Sequence, residues 1–240
     1  MRIALIGRGR LATNLERALL DAGHEVASIN SRTLEDLPLT ADVFVLAVKD
    51  VALTDVIHEA TKGREGQLFL HTAGSMPMTL FEGMTHRFGV LYPMQTFSKE
   101  RAVDFREIPV FIEGSDEQTL SAIHQLAASI TERVYPLSSD DRQYLHLAAV
   151  FACNFTNHCY ALAASILEQH GMDFSVMLPL IDETARKVHE LHPVMAQTGP
   201  AVRYDENVIR HHAELLHDQP QMKDLYERLS QSIFTFNSSR

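Results

Sequence analysis

Tryptophan is absent from the 240-residue chain, and cysteine occurs only twice, at Cys153 and Cys159. Two cysteines six positions apart on one expected helix point to different faces and cannot bond to each other. That excludes a disulfide framework, and a reducing, cytoplasmic setting is the expectation. Long apolar runs are missing too: none reaches the ~18–20 residues that a membrane-spanning helix needs. The apolar stretch near the N-terminus breaks at Gly7, which is too short for a signal peptide. Basic residues are scarce, with 21 Lys and Arg against 31 Asp and Glu and a formal net charge of −10. Nucleic acids and anionic membranes require clustered positive charge, so neither is an expected partner. An anionic small molecule needs only a local basic pocket. Internal repeats and low-complexity segments are also lacking.

What is present is a switch of character halfway along. Residues 2–6, 25–30, 43–48, 67–71, 88–92, 109–113 and 133–136 read as strands, and helical patterns separate several of them. The first helix covers 10–22, with Leu11, Leu15, Ala18, Leu19 and Ala22 on one face. Asp50 is the expected cap of a helix over 51–61, and Ser115 with Gln118 reads as a capping box for the next. The charged stretch 98–107 reads as a loop or short helix. Alternating β and α at these lengths predicts an α/β fold with a parallel, doubly wound Rossmann sheet.

From Ser138 onward the pattern is all helical. Residues 140–169 contain neither Pro nor Gly and predict one long helix, apolar nearly all round in its middle and therefore buried on most sides. Further helices are expected over 174–191 and 206–217, the latter capped by Asp205, and one more is expected to open with Asp218, Pro220 and Gln221. The expected division is a Rossmann domain over 1–137 and a helical domain over 138–240. A helix buried all round in so small a domain predicts cover from a second copy, a homodimer through the helical part.

Gly7 and Gly9 follow the first strand and precede the first helix, the order of a dinucleotide-binding turn. The first glycine permits the turn, and the second lets backbone approach a pyrophosphate at the helix N-terminus. Ala12 takes the place of the third glycine. Gly7, Gly9, Arg10, Leu11 and Ala12 therefore form the expected phosphate cradle. An NAD site would place a carboxylate after the second strand; here Ser31 and Arg32 stand there, suited to a 2′-phosphate and hence to NADP(H). The alternative is an ordinary turn with a surface arginine. Past the third strand, Ala47, Val48 and Lys49 are expected beside the cofactor ribose. Past the fourth, Thr72 and Ser75 in His71-Thr72-Ala73-Gly74-Ser75 suit nicotinamide or a substrate carboxylate, or else form a polar turn.

These residues resemble a known family. Gly7-x-Gly9, Ser31-Arg32, His71-Thr72-x-Gly74-Ser75, Tyr92-Pro93-x-Gln95-Thr96-Phe97 and Phe111-x-Glu113-Gly114 carry the likeness. So do His146-Leu147-Ala148-Ala149-x-Phe151-x-x-Asn154 and Thr198-Gly199-Pro200-x-x-Arg203-x-Asp205 with His212. The chain resembles Rossmann-like proteins whose C-terminal part is a domain of unknown function, provisionally assigned as NADP oxidoreductases. Their layout is similar to that of pyrroline-carboxylate reductases, ketopantoate reductases and hydroxyisobutyrate-type dehydrogenases. The resemblance implies an NADP(H) domain, a C-terminal helical domain like that of 6-phosphogluconate dehydrogenase, dimerisation through it, and an active site between the two. Tyr204 replaces a glycine of the family's pattern, and Arg10 an asparagine.

In the ketopantoate-type enzymes a lysine stands on the equivalent long helix, with asparagines one and two turns later. His146 falls at the lysine's place and Asn154 at the later asparagine's, with Val150 departing between them. The i, i+4 spacing of His146, Val150, Asn154 and His158 predicts one helix face. His146 is the expected general acid, since histidine titrates near neutrality, and Asn154 the expected substrate-orienting residue. The alternative is that both are satisfied core polars; His158 reads as structural. Arg203 suits a substrate carboxylate, with Asp205, His212, Gln95 and Thr96 as further candidates near substrate. The expected activity is hydride transfer between NADP(H) and a small carbonyl, imine or alcohol. The rivals are a non-catalytic NADP(H) sensor or scaffold, and a metal enzyme built on His189-x-x-His192 and His211-His212. No metal is expected, because no full ligand set is specified.

Overall fold

A computed structural model describes residues 1–238 except Ala102. Seven strands form one sheet: β1 (Arg2–Ile6), β2 (Glu25–Ile29), β3 (Val43–Leu46), β4 (Leu68–His71), β5 (Arg87–Pro93), β6 (Val110–Gly114) and β7 (Val134–Pro136). Their order is β2-β1-β3-β4-β5-β6-β7. Neighbours from β2 to β5 run parallel, as the alternating pattern predicted. The sheet is not wholly parallel, however: β6 runs antiparallel to β5, and β7 parallel to β6. The reason lies in residues 94–109, whose described members form only a short 3₁₀ turn at Phe105–Glu107. A parallel return needs a crossover helix, and without one the chain simply doubles back.

Strand side chains alternate between two cores. Ile3, Leu5, Val43, Val45, Leu70 and Leu91 join Leu15 and Leu19 of α1 (Arg10–Asp21) and Ile123 and Leu126 of α3 (Glu117–Ile130) on one face. Ala4, Ile6, Phe44, Leu46 and Phe69 meet Leu53, Val56 and Ile57 of α2 (Asp50–Thr61) and Phe81 on the other. Two helix starts differ from expectation. Lys49, in extended backbone, precedes α2, and Asp50 belongs to its first turn. The cap of α3 is Asp116, not Ser115: its carboxylate accepts the Thr119 N–H at 2.8 Å. An aspartate one residue nearer the helix outcompetes the serine for the same orphan donors.

Residues 139–169 are helical throughout, but not as one α-helix. α4 (Ser139–Ala149) gives way to a π-helical run at Val150–Phe155, and α5 (Thr156–Gln169) follows. Within the single chain Tyr144, Leu147 and Phe151 are each more than half exposed. By compactness the chain forms two units, Met1–Asn154 and Phe155–Arg240.

The second unit continues with α6 (Leu178–Glu190), α7 (Pro193–Ala196), α8 (Glu206–Leu215) and α9 (Pro220–Ser238). Asp205 caps α8 as predicted, accepting the Val208 N–H at 3.3 Å. α9 opens at Pro220, so Gln219 rather than Asp218 flanks it. Tyr204 adopts left-handed backbone (φ 48°). Its ring packs on Phe234 at 4.9 Å, a contact that a glycine there would lack. Few side chains of this unit are buried; Leu167, Ala201, Ala213, Leu216 and Ser230 are.

Candidate functional site

Parallel strands bring their carboxyl ends to one edge, where open α/β sheets bind ligands. Gly7 leaves β1 there with φ +134°, and its N–H donates to the Ile29 carbonyl at 3.0 Å. A Cβ at Gly7 would lie 2.2 Å from the Ala47 carbonyl oxygen. Gly7 is thus closed in by backbone. Gly9 is the opposite case: it flanks α1 in extended backbone, and a Cβ added to it meets nothing within 4 Å. α1 has no side-chain cap and no acid in its first turn. The N–H groups of its first turn, carried by Arg10, Leu11 and Ala12, have no partner within the helix, which suits an anion beside Gly9. Ala12 is buried in the core, where a small residue lets α1 approach the sheet. The residues present fit a dinucleotide pyrophosphate.

Ser31 and Arg32 follow β2 and line a cavity with Thr33, Asp55, Glu59 and Arg64. The Arg64 guanidinium is committed to carbonyls, donating to Pro38 at 2.7 Å and Leu37 at 3.1 Å. Arg32 is exposed and is the cation placed for a ligand there. Ala47 is nearly buried against Gly7, Val48 is half-buried and Lys49 exposed. Thr72 is buried, and its hydroxyl donates to the Leu46 carbonyl at 3.3 Å, tying the ends of β3 and β4 together. The Ser75 hydroxyl donates to the Asp50 carboxylate. Gln95 is exposed and accepts the N–H of Thr96 at 2.8 Å.

His146 on α4 meets this edge. Its Nδ1 lies 3.1 Å from the Tyr92 hydroxyl, near the end of β5. Both rings press on the backbone at Gly74, where a Cβ would lie 2.6 Å from His146 Nδ1 and 2.8 Å from Tyr92 Cζ. His146 is half-buried and Tyr92 buried. Burial, the largest influence, raises the Tyr92 phenol above its ordinary pKa; the nearby Arg142 cation opposes this. Asn154 is exposed at the end of the π-helical run. That run adds a residue per turn, so the i, i+4 spacing that placed His146, Val150, Asn154 and His158 on one face does not hold through it.

Sequence reasoning gave no role to Arg142, the largest fully buried side chain. Its Nη1 donates to Glu113 Oε2 at 2.6 Å and its Nη2 to the Met76 carbonyl at 2.7 Å. Glu113 also accepts the Ser139 N–H and hydroxyl at 2.8 and 2.6 Å. The Ser139 hydroxyl in turn accepts the Met78 N–H at 3.0 Å. His71 completes the cluster. Ala73 N–H donates to its Nδ1 at 3.2 Å, so Nε2 carries the proton given to the Pro77 carbonyl at 3.3 Å. Burial first, and the Arg142 charge second, lower the His71 pKa to about 4. One sequence signal pointed to Arg142: it precedes His146 by one helical turn and so shares its face.

The second unit's candidates stand as follows. Arg203 is exposed at the end of a 3₁₀ turn. Asp205 is spent as a cap. His212 Nδ1 lies 3.0 Å from the Tyr226 hydroxyl on α9. Among the described residues, no group of three or more His, Cys, Asp or Glu is placed to hold a metal ion. Nor is any described helix long and apolar enough to cross a membrane.

Comparison with known proteins agrees with this fold. Residues 108–233 match the domain of unknown function DUF2520. The chain belongs to that family. It is 49% identical to a Bacteroides fragilis protein provisionally assigned as an NADP oxidoreductase, over 98% of each chain and with a TM-score of 0.92. More distant structures share the fold. An imine reductase from Myxococcus stipitatus, solved with NADP+, is 15% identical over 100% of this chain and 93% of its own, with a TM-score of 0.61. A pyrroline-5-carboxylate reductase from Streptococcus pyogenes is 13% identical over 98% of both chains, also at 0.61. No protein of curated function matches the sequence.

Proposed function

We propose that this protein is an NADP(H)-dependent oxidoreductase acting on a small carbonyl, imine or alcohol. The observation that carries the proposal is the pair of glycines: Gly7 sealed against the Ala47 carbonyl and Gly9 open at an uncapped helix. The solved relative at 49% identity, provisionally an NADP oxidoreductase, supports the same cofactor. In this reading the pyrophosphate sits on the N–H groups of Arg10, Leu11 and Ala12. Ser31 and Arg32 take the 2′-phosphate, a forked cation and a hydroxyl where a carboxylate would repel it. Ala47, Val48 and Lys49 border the ribose, and Thr72 holds the strand ends that shape that border.

NADPH, when bound, supplies hydride. The chain must then orient the substrate and furnish a proton. His146 is the proton donor of this reading: it is half-buried, fixed by Tyr92 and supported by Gly74. Asn154, Ser75 and Gln95 are the polar side chains of the same unit proposed to orient the substrate. The chain is further proposed to act as a homodimer. The second unit leaves Val176, Leu180, Met195 and Leu215 more than half exposed, and a second copy would cover such apolar side chains.

Paired fluorescence titrations with NADPH and NADH test the cofactor. NADPH binding at least about tenfold tighter, a difference of about 1.4 kcal/mol, is expected. Failure of both to bind overturns the oxidoreductase reading in favour of a scaffold.

A further inference from the structure

The Tyr92–His146 contact carries more than support for a ring. Tyr92 is 8% exposed, and among the described residues its hydroxyl meets one hydrogen-bonding partner, His146 Nδ1. A buried phenol has one proton to place, and leaving it unplaced costs about 1–3 kcal/mol. Nδ1 is the acceptor on hand. A neutral imidazole that accepts at Nδ1 carries its own proton at Nε2. The half-buried ring leaves that second nitrogen for solvent or substrate.

We propose that Tyr92 holds His146 in its Nε2–H form and passes its own proton to Nδ1 as Nε2 delivers to the substrate. The proposal rests on the oxidoreductase reading for its substrate, and the atoms balance as follows. An oxyanion or nitrogen anion developing on the substrate takes the Nε2 proton, so Nε2–H breaks and O–H or N–H forms. The Tyr92 O–H breaks and Nδ1–H forms. The negative charge that began on the substrate ends on the Tyr92 oxygen. Return of the proton from Nδ1, with uptake of one from water at Nε2, restores the starting state. Because Tyr92 acts through His146, it is a positioning residue.

The surroundings of Tyr92 bear on that charge. Arg142, on α4, is a buried cation that favours a phenolate; burial itself and the Cys153 thiol, from the π-helical run, oppose one. From β6, Phe111 presents an apolar ring at 6.4 Å, and Glu113 is held by Arg142. His71, whose charge would add to that of Arg142, is kept neutral by burial. Arg142, itself paired with Glu113, is thus the group among these that favours charge on Tyr92, while burial on balance holds the phenol protonated at rest.

Long-range proton–nitrogen NMR on histidine-labelled protein reads the tautomer without substrate or cofactor. The spectrum of His146→Gln identifies the His146 signals. At mildly alkaline pH the wild type should show a bare Nδ1 and a protonated Nε2, and Tyr92→Phe should show a mixture of both tautomers. Coupling between the Tyr92 hydroxyl proton and Nδ1 gives the same answer in the wild type should Tyr92→Phe not fold. A protonated Nδ1 in the wild type, or an unchanged tautomer in Tyr92→Phe, overturns the proposal. NADPH titration of the same samples separates the two ideas: lost cofactor binding sinks the oxidoreductase reading and leaves the tautomer assignment standing.

Discussion

Alanine at Gly7 and alanine at Gly9 should fail in opposite ways. At Gly7 the new Cβ would lie 2.2 Å from the Ala47 carbonyl oxygen, at φ +134°. Backbone faces backbone there, so no side chain can swing aside. Backbone strain of about 1–3 kcal/mol and overpacking of similar size predict a loss of roughly 2–6 kcal/mol. At Gly9 the backbone is extended (φ −79°, ψ −178°) and nothing lies within 4 Å of the added carbon. Alanine is a poorer helix-flanking residue than glycine, which costs under about 1 kcal/mol. The added methyl does occupy the space that a pyrophosphate would fill. Urea unfolding should therefore show a large fall in midpoint for Gly7→Ala and little change for Gly9→Ala. Fluorescence titration should show NADPH affinity reduced at least about tenfold in Gly9→Ala, or about 1.4 kcal/mol. A Gly9→Ala protein that binds NADPH as the wild type does would refute the cradle, and an unchanged midpoint in Gly7→Ala would refute the packing argument.

Gly74→Ala should displace His146 or Tyr92 and cost about 1–3 kcal/mol, since its Cβ lands 2.6 Å from His146 Nδ1. Loss of the wild-type His146 tautomer by NMR checks it. Arg142→Met should lower stability by about 3 kcal/mol by leaving Glu113 without its cation, while Arg142→Met with Glu113→Gln should recover part of the loss in urea melts. His71 has a folded pKa of about 4 against an ordinary 6.5, so between those values the unfolded chain binds a proton that the folded one refuses. Its contribution is complete above pH 6.5 and shrinks as pH falls, by about 1.4 kcal/mol per unit and about 2 kcal/mol by pH 5. Urea midpoints of the wild type and His71→Leu at both ends of that window should differ by this slope, and equal slopes count against a neutral buried His71. Sedimentation at micromolar concentration should give a dimer; a monomer would dismiss the second copy.

The strands were legible because burial on two faces leaves near-continuous apolar runs, as in residues 43–48. The direction of β6 was not, although its cause was in view. The charged stretch 98–107 reads as a loop or short helix, and its described residues form only a short 3₁₀ turn, with no crossover helix for a parallel return. The start of α3 missed by one residue because Ser115 and Asp116 compete for the same N–H donors. The π-helical run had no signature, since one inserted residue changes the facing of a helix without changing its composition.

The turn at Gly7 and Gly9, the proposed cradle, was legible for a different reason from the rest of the site: its geometry is local. A strand, a turn and a helix start lie within a dozen residues, and their spacing carries the geometry. The segment 74–78 is the reverse. Ser75 is tied to Asp50, the Met76 carbonyl to Arg142, the Pro77 carbonyl to His71 and the Met78 N–H to Ser139. Those anchors come from α2, α4 and β4, and no spacing rule connects them. A buried Arg–Glu pair is no more stabilising than well-packed apolar groups of the same volume. What it adds is direction. One guanidinium nitrogen fixes Glu113 and the other fixes the Met76 carbonyl, so α4 cannot slide along the sheet without breaking both. His146 lies one turn further along that helix, and the backbone beneath it, at Gly74, leads into the clamped segment. The position of His146, the proposed proton donor, thus depends on the buried Arg142–Glu113 pair, and that dependence lies in the fold rather than in any spacing of the sequence.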